Sequence, residues 1–424
     1  MSYRRRVSSP APLARRLGLG DATVIGVGSM VGAGVFAAFA PAAQAAGSGL
    51  LIGLMVAGVV ALGNATSTAQ LAAASPRSGG AYLYGRERLG AVWGFVAGWG
   101  FVIGKIASCA AMALTFAAYA APAGWERPIA VAAVVALAAV NLWGITRTAL
   151  ATRIIVALVL LVLAIVVAAG ASRGVPPVGD PLELVASGPY GILQASGLLF
   201  FAFAGYARIA TLGEEVRDPE RVIPRAIVLA LGIALVVYLG VGLAALAALG
   251  ADGLAASRAP LEDVVSSAGW DWASPVVRVG AAAASLGALL ALLAGIGRTT
   301  LAMARERDVP SWFAAVHPRT HVPHRAEIVI AAAVCVIVLA VDLRGAIGFS
   351  SFGVLVYYVI AGLSALRQPA AERRFPRILA VIGVVGCVVL AATLPWPSVV
   401  GGVIVIILGF GVRFLSRRAV ASNS

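Results

Sequence analysis

The pattern most suggestive of chemistry is a run of glycines inside an apolar stretch near the N-terminus, GSMVGAGVF at Gly28–Phe36. Each of Gly28, Gly32 and Gly34 weakens a helix by about 1 kcal/mol relative to alanine. In lipid, backbone that leaves a helix must be satisfied by protein or by a water-filled cavity. A helix broken here would offer free amides to a carboxylate and free carbonyls to an ammonium group. The run therefore predicts a site for a zwitterion, although the Gly28–Gly32 spacing is equally typical of close helix packing.

A second run of this kind, FFAFAGYA at Phe200–Ala207, places Gly205 among four aromatic residues. Interruptions at corresponding positions in two halves of a membrane protein are the best sequence indication of a central binding site. The pair of runs therefore favours a site over simple packing. The aromatic residues beside Gly205 are typical of a gate, and filling of the core is the alternative.

The helices that would hold these runs are expected to lie in a membrane. Of the 424 residues, 61% are hydrophobic and 12% are charged, and the mean hydropathy is +0.96. A soluble domain carries roughly 25% charged residues, because its surface faces water. The net charge of +14 is distributed between long apolar runs rather than on one polar face. This distribution argues against a nucleic-acid partner and for a lipid bilayer.

Long apolar runs predict twelve membrane-spanning helices. They lie at 19–45, 49–73, 92–121, 128–144, 153–171, 190–211, 224–249, 274–303, 326–341, 345–366, 377–394 and 398–415. The first, third and eighth runs are longer than a straight crossing needs, so we expect them to tilt or break. An even number of spans places both termini on one side of the membrane.

Arginine indicates which side that is. Segments on the side of the N-terminus hold 24 arginines, whereas the opposite segments hold five, Arg127, Arg173, Arg258, Arg278 and Arg344. Cytoplasmic loops carry the excess of basic residues in membrane proteins. The asymmetry predicts an integral protein of the cytoplasmic (plasma) membrane with both termini in the cytoplasm.

Four blocks of this chain resemble the amino acid–polyamine–organocation (APC) superfamily of permeases. They are Gly28–Phe36, SPRSGGAYLYGRERLG at Ser75–Gly90, IATLGEEVRDPERVIPRAI at Ile209–Ile227, and Arg298–Pro323. The third block is nearest to the cationic amino acid transporter branch. The blocks follow the expected order from the first span to the tenth.

The resemblance implies an all-α polytopic membrane protein with a LeuT-like fold and alternating access to a central site. That fold has two inverted five-helix repeats and, here, two additional C-terminal helices. It divides the chain into an N-terminal tail at 1–17, a first repeat at 18–171, a second repeat at 172–366, and the last two helices with a C-terminal tail at 367–424.

The resemblance also implies which residues bind substrate. The carboxylate would meet the first-span residues Ser29, Val31, Gly32, Ala33 and Gly34, and the amino group would meet carbonyls near Ala202, Phe203 and Ala204. Phe201 occupies the aromatic gate position of the family.

Two positions depart from the family pattern. The cationic branch has an acidic residue just after the glycine–aromatic pair of the sixth span, where this chain has Ala207 followed by Arg208. Many members also carry a lysine in the fifth span, where Leu158–Leu163 is entirely apolar here. The first departure disfavours a basic substrate, so we expect a neutral amino acid.

Lys105 is the only lysine and falls inside the third predicted span. A lysine at membrane depth costs about 2.5–3.5 kcal/mol on insertion scales, so it is a functional hypothesis by default. Desolvation makes a lysine responsive to protons. We expect Lys105 to supply the coupling charge that the fifth span lacks; a snorkelling or carbonyl-capping lysine is the alternative.

The remaining polar clusters are assigned weaker roles. Arg208, Glu214 and Glu215 are expected to join a cytoplasmic ion-pair network, with a latch on the inward gate as the functional alternative. Histidines 317, 321 and 324 share one loop and are expected to be solvated rather than to bind metal. No cofactor is expected.

Secondary transport of an amino acid, by proton symport or by exchange, is the leading functional hypothesis. A polyamine or cationic amino acid permease is the alternative within this class, and a non-transporting sensor or a channel could keep the same fold. An intramembrane enzyme is disfavoured, because no histidine or acidic residue lies deep in a predicted span. The pattern does not indicate an oligomeric state.

Overall fold

The structure, a computed structural model, describes residues 17–75, 79–144, 149–174, 185–210 and 215–421. Within these ranges the chain is helical, and its only bridge of the β type joins Leu17 to Val216. Helices are the expected outcome, because a helix satisfies its backbone polar groups internally where lipid offers no partners.

The first half of the chain forms eight helices. They are α1 (Leu19–Met30), α2 (Ala33–Ala37), α3 (Phe39–Ala46), α4 (Leu50–Ala74), α5 (Gly80–Arg88), α6 (Ala91–Ala120), α7 (Glu126–Leu142) and α8 (Ala149–Ser172).

The second half forms nine further helices within the described ranges. They are α9 (Gly188–Phe203), α10 (Ala207–Ala210), α11 (Pro219–Ala256), α12 (Pro260–Ser267), α13 (Ser274–Arg305), α14 (His324–Ala340), α15 (Leu343–Leu366), α16 (Arg377–Thr393) and α17 (Trp396–Ala421).

Nine helical stretches of the described residues are long and apolar enough to cross a membrane. Three further helices, α7, α14 and α16, have 17 residues each and coincide with the fourth, ninth and eleventh predicted spans. A helix of that length is about 26 Å long, slightly less than a hydrocarbon layer of about 30 Å. The protein is therefore polytopic and all-helical, while the count of twelve spans stays a prediction.

Two apolar clusters fill the interior. The larger cluster draws on α1 to α4, α8, α9, α11 and α15, and the smaller one joins α6, α7, α13 and α14. Both glycine-rich runs singled out from the sequence lie in the larger cluster. The candidate site is thus held by packing on several sides rather than by loops.

Small residues allow close contact between α6 and α15. A Cβ built on Gly353 would lie 2.6 Å from the carbonyl oxygen of Gly100, and one built on Gly104 would lie 3.1 Å from Cα of Gly353. Side chains at these positions would force the two backbones apart. Gly100 and Gly104 therefore allow α6 to pack closely against α15, as small residues commonly do between membrane helices.

A buried carboxylate joins three distant parts of the chain at the arginine-rich end. Asp308, which follows α13, is fully buried. Its oxygens accept hydrogen bonds from Tyr82 (3.0 Å) and Arg86 (2.8 Å) of α5, and from Arg413 (2.9 Å) and Arg417 (3.3 Å) of α17. Three guanidinium groups and a phenol thus compensate one desolvated charge.

The cluster around Asp308 also changes the pKa of Tyr82. Burial, together with the negative charge of Asp308, raises the pKa of the Tyr82 phenol well above its ordinary value. The phenol therefore stays protonated at physiological pH and remains a hydrogen-bond donor. This network was not anticipated from the sequence, which instead indicated a cluster around Arg208 and Glu215.

Replacing Asp308 with asparagine is expected to destabilise the protein by about 3–5 kcal/mol, because the buried guanidinium of Arg413 loses its counter-charge. The measurement is the thermal unfolding midpoint of the purified protein in detergent. Asp218→Asn is the matched control: Asp218 is exposed and lies 3.9 Å from Arg221. An exposed pair contributes about 0–1 kcal/mol. Equal midpoints for the two variants would contradict the assignment.

Candidate functional site

The first glycine-rich run is broken, as predicted. Helix α1 ends at Met30, and Val31 follows with φ −77° and ψ 59°. Gly32 has φ −114° and ψ −140°, and α2 begins at Ala33. Because Val31 and Gly32 are non-helical, backbone groups on both sides of the break lose their normal partners within the helix.

The second run is interrupted more gently. Helix α9 ends at Phe203, a 3₁₀ turn covers Ala204–Tyr206, and α10 begins at Ala207. The chain keeps its direction here but tightens, which displaces the carbonyls from the geometry of an α-helix. The predicted break is therefore a change of helix type rather than an extended opening.

The two interrupted segments touch each other through glycine. A Cβ built on Gly34 would lie 2.7 Å from Cα of Ala202, and one built on Gly205 would overlap the carbonyl group of Ser29. Any side chain at Gly205 would push the second segment away from the first. These glycines therefore bring the backbone of the two segments together, whatever else they do.

A tyrosine on α11 links the carbonyls of both segments. The hydroxyl of Tyr238 lies 2.7 Å from the Met30 carbonyl oxygen and 2.9 Å from the Ala202 carbonyl oxygen. Tyr238 is buried, and its ring packs edge-on against Phe203 at 5.0 Å. One hydroxyl has one proton and here faces two acceptors. The Met30 carbonyl also accepts from the amide of Gly32 at 2.8 Å, so the Ala202 carbonyl depends more on the shared hydroxyl.

Two more tyrosines donate hydrogen bonds to neighbouring carbonyls. Tyr358 of α15 donates to the Ala204 carbonyl (3.0 Å), and its ring stacks on Tyr206 at 5.0 Å. Tyr119 of α6 donates to the Phe36 carbonyl (3.3 Å) and accepts from the amide of Leu261 (3.2 Å). Sequence reasoning missed all three tyrosines. They could have been identified from the sequence as tyrosines within apolar spans, because the hydroxyl of a buried tyrosine usually has a hydrogen-bond partner.

The structure brings together the residues that the sequence assigned to substrate. Most of them are enclosed: Val31, Ala33, Phe201, Ala202, Phe203 and Ala204 are each no more than 8% exposed. Ser29 is exposed, and its Oγ donates to the Ile25 carbonyl at 2.8 Å. The site therefore consists of packed backbone with one accessible polar side chain at its edge. The individual binding roles stay predictions.

The fifth predicted span packs against the break through apolar groups. A Cβ built on Gly28 would overlap Cγ2 of Val156 on α8. Val156 is buried, as are Val159 and Val162 further along the same helix. The apolar stretch Leu158–Leu163 noted in that span thus belongs to a helix that packs on the first segment through apolar side chains.

Lys105 lies on the face of α6 that is turned toward α13 and α15. Gly98, seven residues earlier, lies beside Met303 of α13, and Ser108, three residues later, lies 2.6 Å from Ser350 of α15. Lys105 is half-buried. Within the described part of the chain, its ammonium group makes no hydrogen bond or ion pair. It therefore retains its full capacity to donate.

The residues expected to form a cytoplasmic latch are only partly described. Glu214 lies outside the described residues. Arg208 is exposed, and the charges of Arg298 and Glu215 act on it. The backbone of Glu215 accepts a hydrogen bond from the amide of Leu17 at 3.1 Å, which ties this segment to the start of α1. A latch role for these residues stays a prediction.

The histidine loop shows local hydrogen bonding. Nδ1 of His317 lies 3.3 Å from the amide of Thr320, and the rings of His317 and His324 are 5.6 Å apart. Among the residues that the structure describes, no group of three or more His, Cys, Asp or Glu side chains could hold a metal ion.

Comparison with known proteins places this geometry in a family. A family model described as Amino acid permease matches residues 17–411. An uncharacterized transporter of Mycobacterium tuberculosis is 58% identical over 98% of this chain and 95% of its own length. A branched-chain amino acid permease of Bacillus subtilis is 26% identical over 97% of this chain and 95% of its own length. Cationic amino acid transporter 7, chloroplastic, of Arabidopsis thaliana is 28% identical over 86% of this chain and 67% of its own length.

The chain therefore belongs to the amino acid permease family of the APC superfamily, on the branch that resembles cationic amino acid transporters. It is an integral membrane protein and an amino acid transporter of that superfamily. The resemblance drawn from four sequence blocks is confirmed by the match over nearly the whole chain.

Replacing Tyr238 with phenylalanine is expected to impair both stability and transport. It removes the donor shared by the Met30 and Ala202 carbonyls, and the loss of a hydrogen bond to a buried acceptor costs about 1–3 kcal/mol. The measurements are the thermal unfolding midpoint and amino acid uptake into proteoliposomes. Tyr190→Phe is the matched control, because Tyr190 is 58% exposed and its hydroxyl has one long contact, 3.5 Å, with Gln194. Uptake and midpoint unchanged in Tyr238→Phe would show that the hydroxyl does not hold the site.

Proposed function

We propose that this protein is a secondary transporter of neutral amino acids that works by alternating access. The observation that carries the proposal is the direct contact of two interrupted helices, whose carbonyls at Met30 and Ala202 share one hydroxyl. Amides beside the break after Met30 would bind the substrate carboxylate. Carbonyls near Ala202 would take the ammonium group, in place of part of the Tyr238 interaction.

The proposed arrangement is a LeuT-like fold of twelve spans. The first repeat would run from α1 to α8 and the second from α9 to α15, with α16 and α17 as the two additional helices. An interruption in the first span of each proposed repeat supports this division. The excess of arginine on one side supports a cytoplasmic location for both termini. Phe201 is the proposed gate residue, and Arg208, Glu214 and Glu215 are the proposed latch residues.

The neutral substrate rests on the residues around the second interruption. Ala207 and Arg208 stand where an acidic residue would favour a basic side chain, and the enclosed run Phe200–Ala204 consists of alanine and phenylalanine. The full-length relative named as a branched-chain amino acid permease supports this choice. The relatives named as cationic amino acid transporters support the alternative, transport of a basic amino acid.

Uptake into proteoliposomes tests the proposal. The panel contains radiolabelled leucine, isoleucine, valine, alanine, arginine, lysine and putrescine, each with and without an acidic exterior. We expect saturable uptake of an apolar amino acid, driven by the proton gradient or by unlabelled substrate inside. Preferred uptake of arginine or lysine would instead support transport of a basic amino acid. If no compound of the panel showed saturable flux, the protein would be interpreted as a sensor or a channel.

Lys105 is the proposed coupling residue, because it is an unpaired ionisable group on the α6 face turned toward α13 and α15. Lys105→Met is expected to flatten the pH dependence of uptake, whereas Lys105→Arg keeps the charge and shifts that dependence. Leu161→Met, at a side chain of α8 that is 59% exposed, is the control for an added methionine. The measurement is initial uptake rate across external pH. The same pH profile in both Lys105 variants and in the unmodified protein would remove the residue from coupling.

A further inference from the structure

A cavity of about 650 Å³ opens at the arginine-rich end of the bundle, away from the interrupted helices. It lies between the turn that joins α5 to α6 and the connection from α15 to α16. Its apolar side is formed by Leu89, Trp93, Leu363 and Leu366. Its polar side is formed by Arg367, Gln368, Arg373 and Arg377. The lining thus places an apolar wall directly beside a group of cations.

The acidic residues near this cavity are engaged elsewhere. Glu372 pairs with Arg88 at 2.6 Å, and Glu220 pairs with Arg374 at 3.1 Å. Neither Arg88 nor Arg374 lines the cavity. Among the described residues, neither of these two carboxylates forms an ion pair with an arginine that lines the cavity.

The three arginines that line the cavity are available to an anion. Arg367 and Arg377 are exposed, and within the described residues neither forms an ion pair. Arg373 is held by the carbonyl oxygen of Gln368, to which Nε and Nη2 donate at 3.0 and 2.7 Å. A carbonyl is neutral, so the charge of Arg373 is positioned but not compensated. Guanidinium groups suit phosphate, which they bind in a bidentate manner.

A buried acceptor lies on the same wall. Gln368 is 1% exposed, and its Nε2 donates to the Gln70 carbonyl at 3.3 Å. Its Oε1 has no hydrogen-bond partner among the described residues. Because Oε1 is enclosed, the contribution of Gln368 to the cavity is its backbone carbonyl, which orients Arg373.

Helix α16 begins at the cavity with Arg377 and carries an exposed apolar face. Ile378, Val381, Val385 and Val388 recur at helical spacing and are 60%, 40%, 55% and 53% exposed. Trp93, at the cavity itself, is 47% exposed. Together these side chains form an exposed apolar track that starts beside Arg377. A free phosphate would make no favourable contact with such an apolar track, whereas an acyl chain would lie along it.

We propose that this cavity binds an acidic phospholipid, with the phosphodiester on Arg367, Arg373 and Arg377 and an acyl chain along Trp93 and the exposed face of α16. Basic pockets between membrane helices are a recognised setting for acidic headgroups. The site is separate from the interrupted helices, so it stands independently of the substrate that the protein transports.

Native mass spectrometry of the full-length protein in detergent tests the proposal. The probes are phosphatidylglycerol and phosphatidylcholine with identical acyl chains. The unmodified protein is expected to retain phosphatidylglycerol in preference to phosphatidylcholine. Each arginine near a membrane surface contributes about 1 kcal/mol, so the double variant Arg367→Gln/Arg377→Gln is expected to bind phosphatidylglycerol about 10- to 30-fold more weakly.

The matched control is Arg305→Gln/Arg319→Gln, which removes the same net charge at two exposed arginines outside the cavity. It is expected to bind like the unmodified protein. If both double variants lost the same affinity for phosphatidylglycerol, net charge alone would explain the effect, and the proposed site would be wrong. Displacement of the lipid by millimolar inorganic phosphate would identify a site for free phosphate instead. Equal retention of the two lipids would also overturn the proposal.

The thermal unfolding midpoint distinguishes a variant that has lost lipid binding from one that fails to fold. Phosphatidylglycerol is expected to raise the thermal unfolding midpoint of the unmodified protein and of Arg305→Gln/Arg319→Gln, because a ligand that binds the folded state stabilises it. In Arg367→Gln/Arg377→Gln the starting midpoint is expected to be near normal while the rise is lost. A rise of the same size in that variant would show that these arginines do not form the site.

Discussion

Carbonyl groups that leave a helix inside a bilayer need donors from the protein, since lipid supplies none. The breaks at Val31–Gly32 and at Ala204–Tyr206 create that need at the centre of this molecule. Hydroxyls from Tyr238 and Tyr358, carried by α11 and α15, meet it. The surrounding helices are thereby fixed in position around the two segments. The proposed binding of an ammonium group relies on carbonyls of the second segment, where Tyr238 divides its single proton between Ala202 and Met30.

Glycine has a different role at each level of this arrangement. At Gly32 it weakens the helix and permits a break, whereas at Gly34 and Gly205 it lets two backbones touch. At Gly100, Gly104 and Gly353 it brings α6 and α15 together without interrupting either helix. A glycine-rich span therefore indicates either a site or close packing, and the structure contains both.

Charge is organised around the ends of the helices. The buried carboxylate of Asp308 connects α5 and α17 at the arginine-rich end, and Glu220 and Glu372 engage further arginines nearby. Glu220 and Glu372 thus pair with arginines outside the cavity beside Trp93, whose lining includes Arg367, Arg373 and Arg377. Such a distribution is consistent with a protein whose arginines face both its own carboxylates and the phosphates of the surrounding lipid.

Much of this protein could be predicted from the sequence, because the relevant physics is local. Long apolar runs specify helices that suit a bilayer, and glycines at Gly28–Gly34 weaken one of them wherever it lies. The family resemblance was likewise carried by contiguous blocks. By contrast, Tyr238 lies 208 residues from Met30, and Arg413 lies 105 residues from Asp308. Only the tertiary structure decided those partners, because a hydrogen bond or ion pair between distant residues depends on how whole helices pack, and no local pattern encodes that.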